Sequence, residues 1–214
     1  MNEELPFDIR STIFHHPIWS LLHLEKRNSL FVDCRDENKK RIEVYECNME
    51  SLISKKLEIE VSWLEKVVGF EEDMLYSLEY MNVDDPSLKV LKRTNMNTKK
   101  VEVIDTLPVL NRHIQEALLF KLDSKGHQTI ADFLALELQL SCEYLEFTNN
   151  IVISYYLRSG DVFDRFLLLI KEGKKKWKVR QDHQMKGFSS GAFFVVEGKL
   201  VFVKDRNEVC IYSL

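Results

Sequence analysis

The chain has 214 residues, of which 45% are hydrophobic and 30% charged, so its composition excludes an intrinsically disordered protein and suits a sizeable core. Its 30 Lys and Arg residues against 34 Asp and Glu residues give a net charge of −4, which argues against a nucleic-acid-binding domain. With only 7 glycines and 4 prolines, low-complexity linkers and collagen-like segments are excluded too.

The start of the chain and its cysteines indicate where the protein works. The first residues, Met-Asn-Glu-Glu-Leu-Pro, are acidic and without an apolar segment, so we expect no secretory signal peptide. No stretch approaches the roughly 18 apolar residues of a membrane-spanning helix. Four cysteines form no CxxC pair and are expected to be reduced: Cys34, Cys47, Cys142 and Cys210. These features predict a cytoplasmic protein with no membrane partner.

Residues 18–61 contain the first group of four predicted strands. Polar turns separate four apolar or alternating segments, which are residues 18–24, 29–34, 41–47 and 56–61. Successive side chains of a strand point to opposite faces of a sheet, so the alternation in residues 41–45 predicts an outer strand with one buried face.

Residues 62–105 repeat this order. The four corresponding segments are residues 63–70, 74–81, 88–92 and 100–104. Trp19 and Trp63, one in each group, are interpreted as equivalent, largely buried residues of inner strands. Four short strands in about 40–50 residues is the period of a β-propeller blade.

The segment 106–142 interrupts the repeat and is predicted to be an insertion with one helix at about residues 130–140. Thr129 and Asp132 are spaced like a capping box, and Ile130, Phe133 and Leu134 share one helical face. Residues 111–122 suit either a further strand or a second short helix, because periodicity does not decide between them.

The C-terminal half supplies two further predicted groups, residues 143–182 and 186–214. Their strands are residues 143–147, 151–157, 163–170 and 176–180 in the first, and 192–196, 200–203 and 208–212 in the second. The last group thus lacks a fourth strand. Because an unpaired edge invites aggregation, we expect residues 8–14 to complete it beside residues 208–212.

These groups predict a mainly β fold, a single propeller-like domain over residues 1–214. We expect about four to five small antiparallel blades with one inserted α-helix. The WD40 dipeptide and the kelch double glycine are absent, so no propeller subtype follows. The alternatives are a β-sandwich or an open β-array with one helix.

The segment Cys142-Glu-Tyr-Leu-Glu-Phe-Thr-Asn-Asn-Ile-Val-Ile-Ser-Tyr-Tyr-Leu157, with Lys186-Gly-Phe and Gly198-Lys-Leu-Val-Phe-Val203 after it, resembles a bacterial family known only as a domain of unknown function. The resemblance covers residues 110–214 and supplies no catalytic or binding residue. The blade pattern also resembles propeller-type repeat proteins, which implies a binding surface more often than one chemistry.

Histidines and carboxylates are the first candidates for chemistry. The six histidines show no HxH, HExxH or CxxC…H spacing of a metal site: His15, His16, His23, His113, His127 and His183. The acidic candidates are Asp33 and Asp36, Asp84 and Asp85, and Asp161 and Asp164. Paired carboxylates could perform acid–base catalysis, but a turn is the favoured interpretation of each set.

Nucleophiles and basic clusters are the remaining candidates. Cys34 lies between Asp33 and Arg35 and is interpreted as a strand cysteine, because the carboxylate opposes its activation by the arginine. Ser159, Ser189 and Ser190 do not form a GxSxG elbow. Residues 171–178 are a basic run around Trp177, favoured as a solvated hairpin turn that the tryptophan anchors rather than as a phosphate site.

The sequence therefore assigns no catalytic, cofactor-binding or metal-binding residue, and we expect no cofactor. The favoured function is an intracellular, non-enzymatic binding or interaction module for a protein or a small-molecule ligand, with no nucleic acid as partner. The alternative is a propeller-type hydrolase or lyase, with a dispersed His/Asp/Glu site at the blade axis that no motif search detects.

Overall fold

The computed structural model describes residues 6, 8–24, 27–82, 85, 87–106, 114–187, 191 and 193–214. As predicted, this part of the chain is mainly β, with one α-helix and four antiparallel sheets. It forms two compact units: the N-terminal unit (residues 12–113) and the C-terminal unit (residues 114–214 with residues 1–11). None of the described helical residues belongs to a segment long and apolar enough to span a membrane.

The described strands follow one another along the chain with a single helix between them. They are β1 (Arg10–Ile13), β2 (Ile18–Leu24), β3 (Ser29–Asp36), β4 (Arg41–Asn48), β5 (Ser54–Lys56), β6 (Glu65–Glu71), β7 (Met74–Tyr80), β8 (Lys89–Asn95), β9 (Val101–Val103), β10 (Ile114–Glu116), β11 (Leu118–Phe120), then α1 (Lys125–Leu134), β12 (Cys142–Phe147), β13 (Asn150–Ser159), β14 (Val162–Lys171), β15 (Lys174–Met185), β16 (Phe193–Val196), β17 (Lys199–Lys204) and β18 (Glu208–Ser213).

The N-terminal unit consists of two four-stranded meanders, β2-β3-β4-β5 and β6-β7-β8-β9. In each, strands that are consecutive in the chain are also neighbours in the sheet, because short turns connect them as antiparallel pairs. One buried cluster joins the two sheets: Leu24, Phe31, Ile42 and Val44 from the first, and Val67 and Leu75 from the second. The two sheets therefore share one apolar core.

The C-terminal unit contains two five-stranded sheets, β11-β12-β13-β14-β15 and β1-β18-β17-β16-β10. A buried cluster draws on both, among its members Val152, Leu167, Trp177, Phe202 and Tyr212. The Trp177 ring contacts the rings of Phe202 and Tyr212, with centroids 6.2 and 5.5 Å away. This packing favours the interpretation of Trp177 as a structural anchor.

The helix is present but begins and ends earlier than predicted. Ser124 is its N-cap, and the Ser124 side chain accepts a hydrogen bond from the His127 backbone N–H. Thr129, expected near the start, lies inside α1, where its hydroxyl donates to the Lys125 carbonyl at 2.9 Å. Ala135 adopts a left-handed conformation and ends the helix. The sequence pattern favoured Thr129 over Ser124 because the hydroxyl of either residue can cap a helix.

The last predicted strand of the first group differs in position from the strand observed. The strand expected at residues 56–61 is shifted, because β5 ends at Lys56, and residues 57–61 are not in a strand. Leu57, Ile59 and Val61 nevertheless pack against the core of the N-terminal unit. Alternation thus correctly indicated which side chains turn inward, although the backbone beyond Leu57, whose N–H still donates to the Val44 carbonyl at 2.8 Å, is not part of a strand.

Part of the predicted insertion, residues 106–142, adds strands to two sheets. β10 pairs with β16 and β11 pairs with β12, both antiparallel. The strand alternative for residues 111–122 is therefore confirmed at residues 114–116 and 118–120. Residues 107–113 lie outside the described chain.

The expected partner of the last strand is confirmed. β1 lies next to β18 in the sheet, and the Ser11 hydroxyl donates a hydrogen bond of 2.6 Å to Oε1 of Glu208. The pairing covers one edge of β18, which would otherwise present unpaired backbone groups.

Candidate functional site

An exposed tryptophan marks the surface of the N-terminal unit. Trp19 lies in β2 where the pairing with β3 shifts: Ile18 faces Cys34, whereas Ser20 faces Asp33. A bulge of this kind inserts one residue and redirects its side chain. Trp19 is 62% exposed, so the prediction that it is largely buried is wrong. Its expected counterpart, Trp63, is half-buried and precedes β6 instead of lying within it.

Arg35 lies beside both indole rings. The Arg35 guanidinium carbon is 4.5 Å from the centroid of the Trp19 ring and 5.4 Å from that of Trp63. Its two terminal nitrogens donate to the backbone carbonyls of Trp63, at 3.1 Å, and Glu65, at 2.9 Å. The side chain is buried, so these bonds fix the planar group in place. We call Trp19, Arg35 and Trp63 the tryptophan–arginine cluster.

Asp33 provides the negative charge beneath this cluster. Its carboxylate is fully buried, and Oδ1 lies 3.6 Å from Nε of Arg35. Burial raises the pKa of Asp33, while the charge of Arg35 and the nearby Ser20 hydroxyl oppose the rise. No described residue donates a well-aligned hydrogen bond to either carboxylate oxygen. The Arg35 charge is therefore balanced by proximity to Asp33, without a direct hydrogen-bonded pair.

The start of β6 is held by a second set of polar contacts. Glu65 is buried; it accepts hydrogen bonds from the Ser77 hydroxyl and, at 3.0 Å, from the Ser62 backbone N–H. Lys92 lies 2.5 Å from Glu79 and 3.8 Å from Glu65. Because Arg35 donates to the carbonyl of Glu65, these contacts also help to keep the tryptophan–arginine cluster rigid.

Lys40 adds a cation at the edge of the cluster. Its ammonium nitrogen is 4.7 Å from the centroid of the Trp63 ring. Lys40 is exposed and forms no ion pair with another residue of the described chain. The cluster and its edge thus combine an exposed ring, a buried arginine and an exposed ammonium that pairs with no other described residue. Such a surface can bind a ligand.

The described histidine candidates do not combine into a group of three metal ligands. His15 and His16 contact each other edge to face, and His16 Nε2 is 3.7 Å from Asp36. His127 Nε2 is 3.0 Å from the carbonyl of Leu140, and His183 Nδ1 is 3.4 Å from Asp205. His23 lies in β2, and His113 is outside the described chain.

The carboxylate candidates are divided between strands and turns: Asp33 and Asp36 lie in β3 and Asp164 lies in β14, so the turn interpretation is wrong for Asp33 and Asp164. Asp36 accepts backbone N–H bonds from Asn38 and Lys39, and Asp85 accepts two hydrogen bonds from Ser87. The Lys39 N–H is the largest cause of the lowered pKa of Asp36. Asp164 accepts from the backbone of Gln184, Asp161 lies in a turn, and Asp84 is outside the described chain. No three metal-ligating side chains of the described residues converge. The dispersed-site alternative stays a prediction.

The nucleophile and basic candidates have structural positions. Burial raises the pKa of Cys34 to about 12, so its thiol stays protonated, as expected of a strand cysteine. The basic run at residues 171–178 forms the turn between β14 and β15 and the start of β15. Ser159 ends β13, and Ser189 and Ser190 are outside the described chain.

An open groove of about 650 Å³ lies beside α1. Carboxylates of Asp123, Asp132 and Glu137 line it, together with the buried side chain of His127. Gln128 donates a hydrogen bond of 2.8 Å to Asp132 across one turn of the helix. The groove is acidic, and its histidine is already bonded to Leu140.

Sequence reasoning noticed the two tryptophans but missed the role of Arg35. From the sequence, Arg35 is interpreted only as a neighbour of Cys34. Adjacent residues of a strand, however, point to opposite faces of the sheet. The useful signal was the presence of two tryptophans and an arginine within two neighbouring strand groups.

Comparisons with known proteins add little. No protein-family model matches the chain. A search of curated proteins finds no match. Among solved structures, an acylaminoacyl peptidase from Pyrococcus horikoshii aligns with 92% of this chain at 12% identity and a TM-score of 0.25. The chain spans 38% of the length of that structure. A likeness this slight supports no statement about fold or activity.

Proposed function

We propose that this protein is a non-enzymatic binding module and that the tryptophan–arginine cluster is its binding surface. The observation that carries the proposal is an indole 62% exposed yet stacked on a buried, hydrogen-bonded arginine. A ring held rigidly before binding loses little conformational entropy when a ligand covers it. Tryptophan and arginine are also the residues most enriched among those that dominate binding energy at protein interfaces.

We further propose that the four sheets are blades of a propeller-like array. Each sheet of the N-terminal unit is a chain-order meander of four strands, and the strands β12 to β15 form another. The strand β1, beside β18, supports the same idea, because propellers avoid open edges by such pairing. A cytoplasmic location is part of the proposal, supported by four buried, unpaired cysteines.

Selection from a displayed library of random peptides tests the binding proposal. The full chain is the target, and the dissociation constants of selected peptides are then measured by fluorescence polarisation. We expect Trp19→Ala to raise the dissociation constants of the selected peptides about tenfold or more, since a residue of this kind contributes over 1 kcal/mol to binding.

Ile53→Ala is the matched control. Ile53 is an apolar residue, 72% exposed in the same unit, that does not belong to the tryptophan–arginine cluster. It should leave the dissociation constants unchanged. A target that selects no peptide, or peptides that bind Trp19→Ala as tightly as the wild type, would contradict the proposal.

A further inference from the structure

We infer that the tryptophan–arginine cluster receives an acidic peptide segment containing an aromatic residue. In this arrangement, the aromatic side chain stacks on the exposed face of Trp19, and a neighbouring carboxylate pairs with Lys40. The inference rests on the proposed function and adds the chemistry of the partner to it.

The contact with Arg35 determines what the outer face of Trp19 attracts. An indole face is normally negative and binds cations. Here a guanidinium already lies 4.5 Å from the ring centroid. Its positive charge opposes the approach of a second cation to the same ring. A neutral aromatic ring remains well suited, because offset stacking buries a large apolar area without adding positive charge.

The charges beside the rings decide the sign of the partner. The Arg35 charge is balanced by Asp33, 3.6 Å away, and both side chains are buried. The ammonium of Lys40 is exposed, 4.7 Å from the Trp63 ring, and forms no ion pair with another described residue. The uncompensated charge in contact with the rings is therefore positive, and a carboxylate complements it.

Three short peptides test the inference on the full chain: Glu-Asp-Phe-Asp-Glu, its counterpart Lys-Arg-Phe-Arg-Lys, and Glu-Asp-Ala-Asp-Glu, all fluorescein-labelled. At low ionic strength, we expect the acidic phenylalanine peptide to bind at least about tenfold more tightly than the other two. Trp19→Ala should abolish this preference.

Two variants of one turn separate a specific contact from general electrostatics. Lys40→Gln should raise the dissociation constant of the acidic phenylalanine peptide about threefold. Lys39→Gln makes the same charge change one residue away and should have a clearly smaller effect, since no ring contact of Lys39 accompanies that of Lys40. Equal effects of the two variants would overturn the assignment of the carboxylate to Lys40.

The outcomes distinguish this inference from the proposed function. If the basic peptide binds as tightly as the acidic one and loses affinity in Trp19→Ala, the surface binds peptides but the inferred partner chemistry is wrong. If the alanine peptide matches the phenylalanine peptide, the stacking part is wrong. If Trp19→Ala lowers the affinity of none of these peptides and of none of the library-selected ones, both proposals are wrong.

Discussion

Each of the two units contains a buried aspartate–arginine pair next to an irregularity in strand pairing, but the two pairs are built differently. In the N-terminal unit, Asp33 and Arg35 lie two residues apart on β3, with 3.6 Å between Oδ1 and Nε. In the C-terminal unit, Arg165 of β14 faces Asp182 of β15, and Nη2 donates to Oδ2 at 2.5 Å.

Register explains the difference. Residues i and i+2 of a strand share a face but are separated by almost 7 Å along the backbone, which leaves the arginine fork pointing past the carboxylate. Directly opposite residues on neighbouring strands lie about 5 Å apart and can meet head-on. Arg165 and Asp182 therefore form a directly hydrogen-bonded pair, which we call the closed pair. Arg35 and Asp33 form the open pair, in which the guanidinium instead donates to backbone carbonyls and contacts two aromatic rings.

The largest expected effect is the loss of the closed pair. Arg165→Met removes the hydrogen-bonded cation from Asp182, a buried carboxyl whose pKa is already raised by burial. We expect the free energy of unfolding at pH 7 to fall by about 3–5 kcal/mol in urea denaturation. Arg165→Met combined with Asp182→Leu should recover most of that loss. A loss below about 1 kcal/mol in the single variant would show that the pair does not act as described.

Replacing the arginine of the open pair should lower the free energy of unfolding by less than replacing that of the closed pair. Arg35→Met removes two hydrogen bonds to backbone carbonyls, and we expect a loss of about 2–3 kcal/mol by the same measurement. Adding Asp33→Asn should recover only the part of the loss that comes from leaving the buried Asp33 without a compensating charge, because the bonds to Trp63 and Glu65 stay lost. Full recovery in the double variant would mean that the two pairs work alike and that the comparison is mistaken.

A further carboxylate of the N-terminal unit, Glu43, shows how several hydrogen bonds and nearby cations change a pKa. Hydrogen bonds from Lys56 and Tyr45 and the charges of Lys56 and Arg41 lower the pKa of Glu43 to about 2. The stabilisation from Glu43 is fully present above the pKa that Glu43 has in the unfolded chain, and it is lost as the pH falls towards the folded pKa of about 2. Because Arg41 and Lys56 are half exposed, we expect Glu43→Gln to cost only about 1 kcal/mol at pH 7, and less at pH 3. Glu58→Gln, at an exposed position, is the control; a cost that grows on acidification contradicts the assignment.

Asp33 should show the opposite pH dependence. Its pKa is raised, mainly by burial, so its contribution to stability is largest below the unfolded pKa and declines as the pH rises towards the folded pKa. Between pH 4 and pH 8, the wild type should therefore lose stability relative to Asp33→Asn. Urea denaturation at both pH values measures this difference. A relative gain at higher pH would mean that the pKa of Asp33 is lowered in the folded state, and would contradict this assignment.

The smallest expected effect on stability concerns Trp19. Its ring is mostly exposed, so Trp19→Ala should change the free energy of unfolding by less than about 1 kcal/mol, the value of an exposed cation–π contact. The buried Trp177 of the C-terminal unit provides the contrast, since Trp177→Ala should cost about 3–5 kcal/mol. Similar losses from both variants, compared by thermal denaturation, would show that Trp19 serves the fold rather than binding.

Strands with a distinct apolar pattern were predictable from the sequence. The ten-residue strands β13 and β14 have long apolar runs between clear turns, and residues 151–157 and 163–170 were correctly assigned to strands. Short strands at sheet edges were harder: β5 has three exposed residues, so its composition shows no burial pattern. Edge strands depend on backbone pairing, which a hydrophobic pattern does not record.

The candidate site was predictable only in part, for a related reason. Trp19 was identified by its spacing from Trp63, but its exposure follows from a bulge that no residue type in the sequence predicts. Arg35 contacts carbonyls 28 and 30 residues further along the chain. Such contacts arise from the packing of one sheet on the next, and neither local propensity nor motif spacing contains that information.

The position of β1 beside β18 has a consequence for synthesis of the chain. Ser11 and Glu208, which are hydrogen-bonded, are 197 residues apart in sequence. Since a ribosome adds about 5–20 residues per second, roughly 10–40 s separate the emergence of the two strands. During that interval, β1 has no partner in its sheet, and its backbone can pair with another nascent chain. We therefore expect the yield of folded protein to depend on the elongation rate and on chaperones that cover this strand.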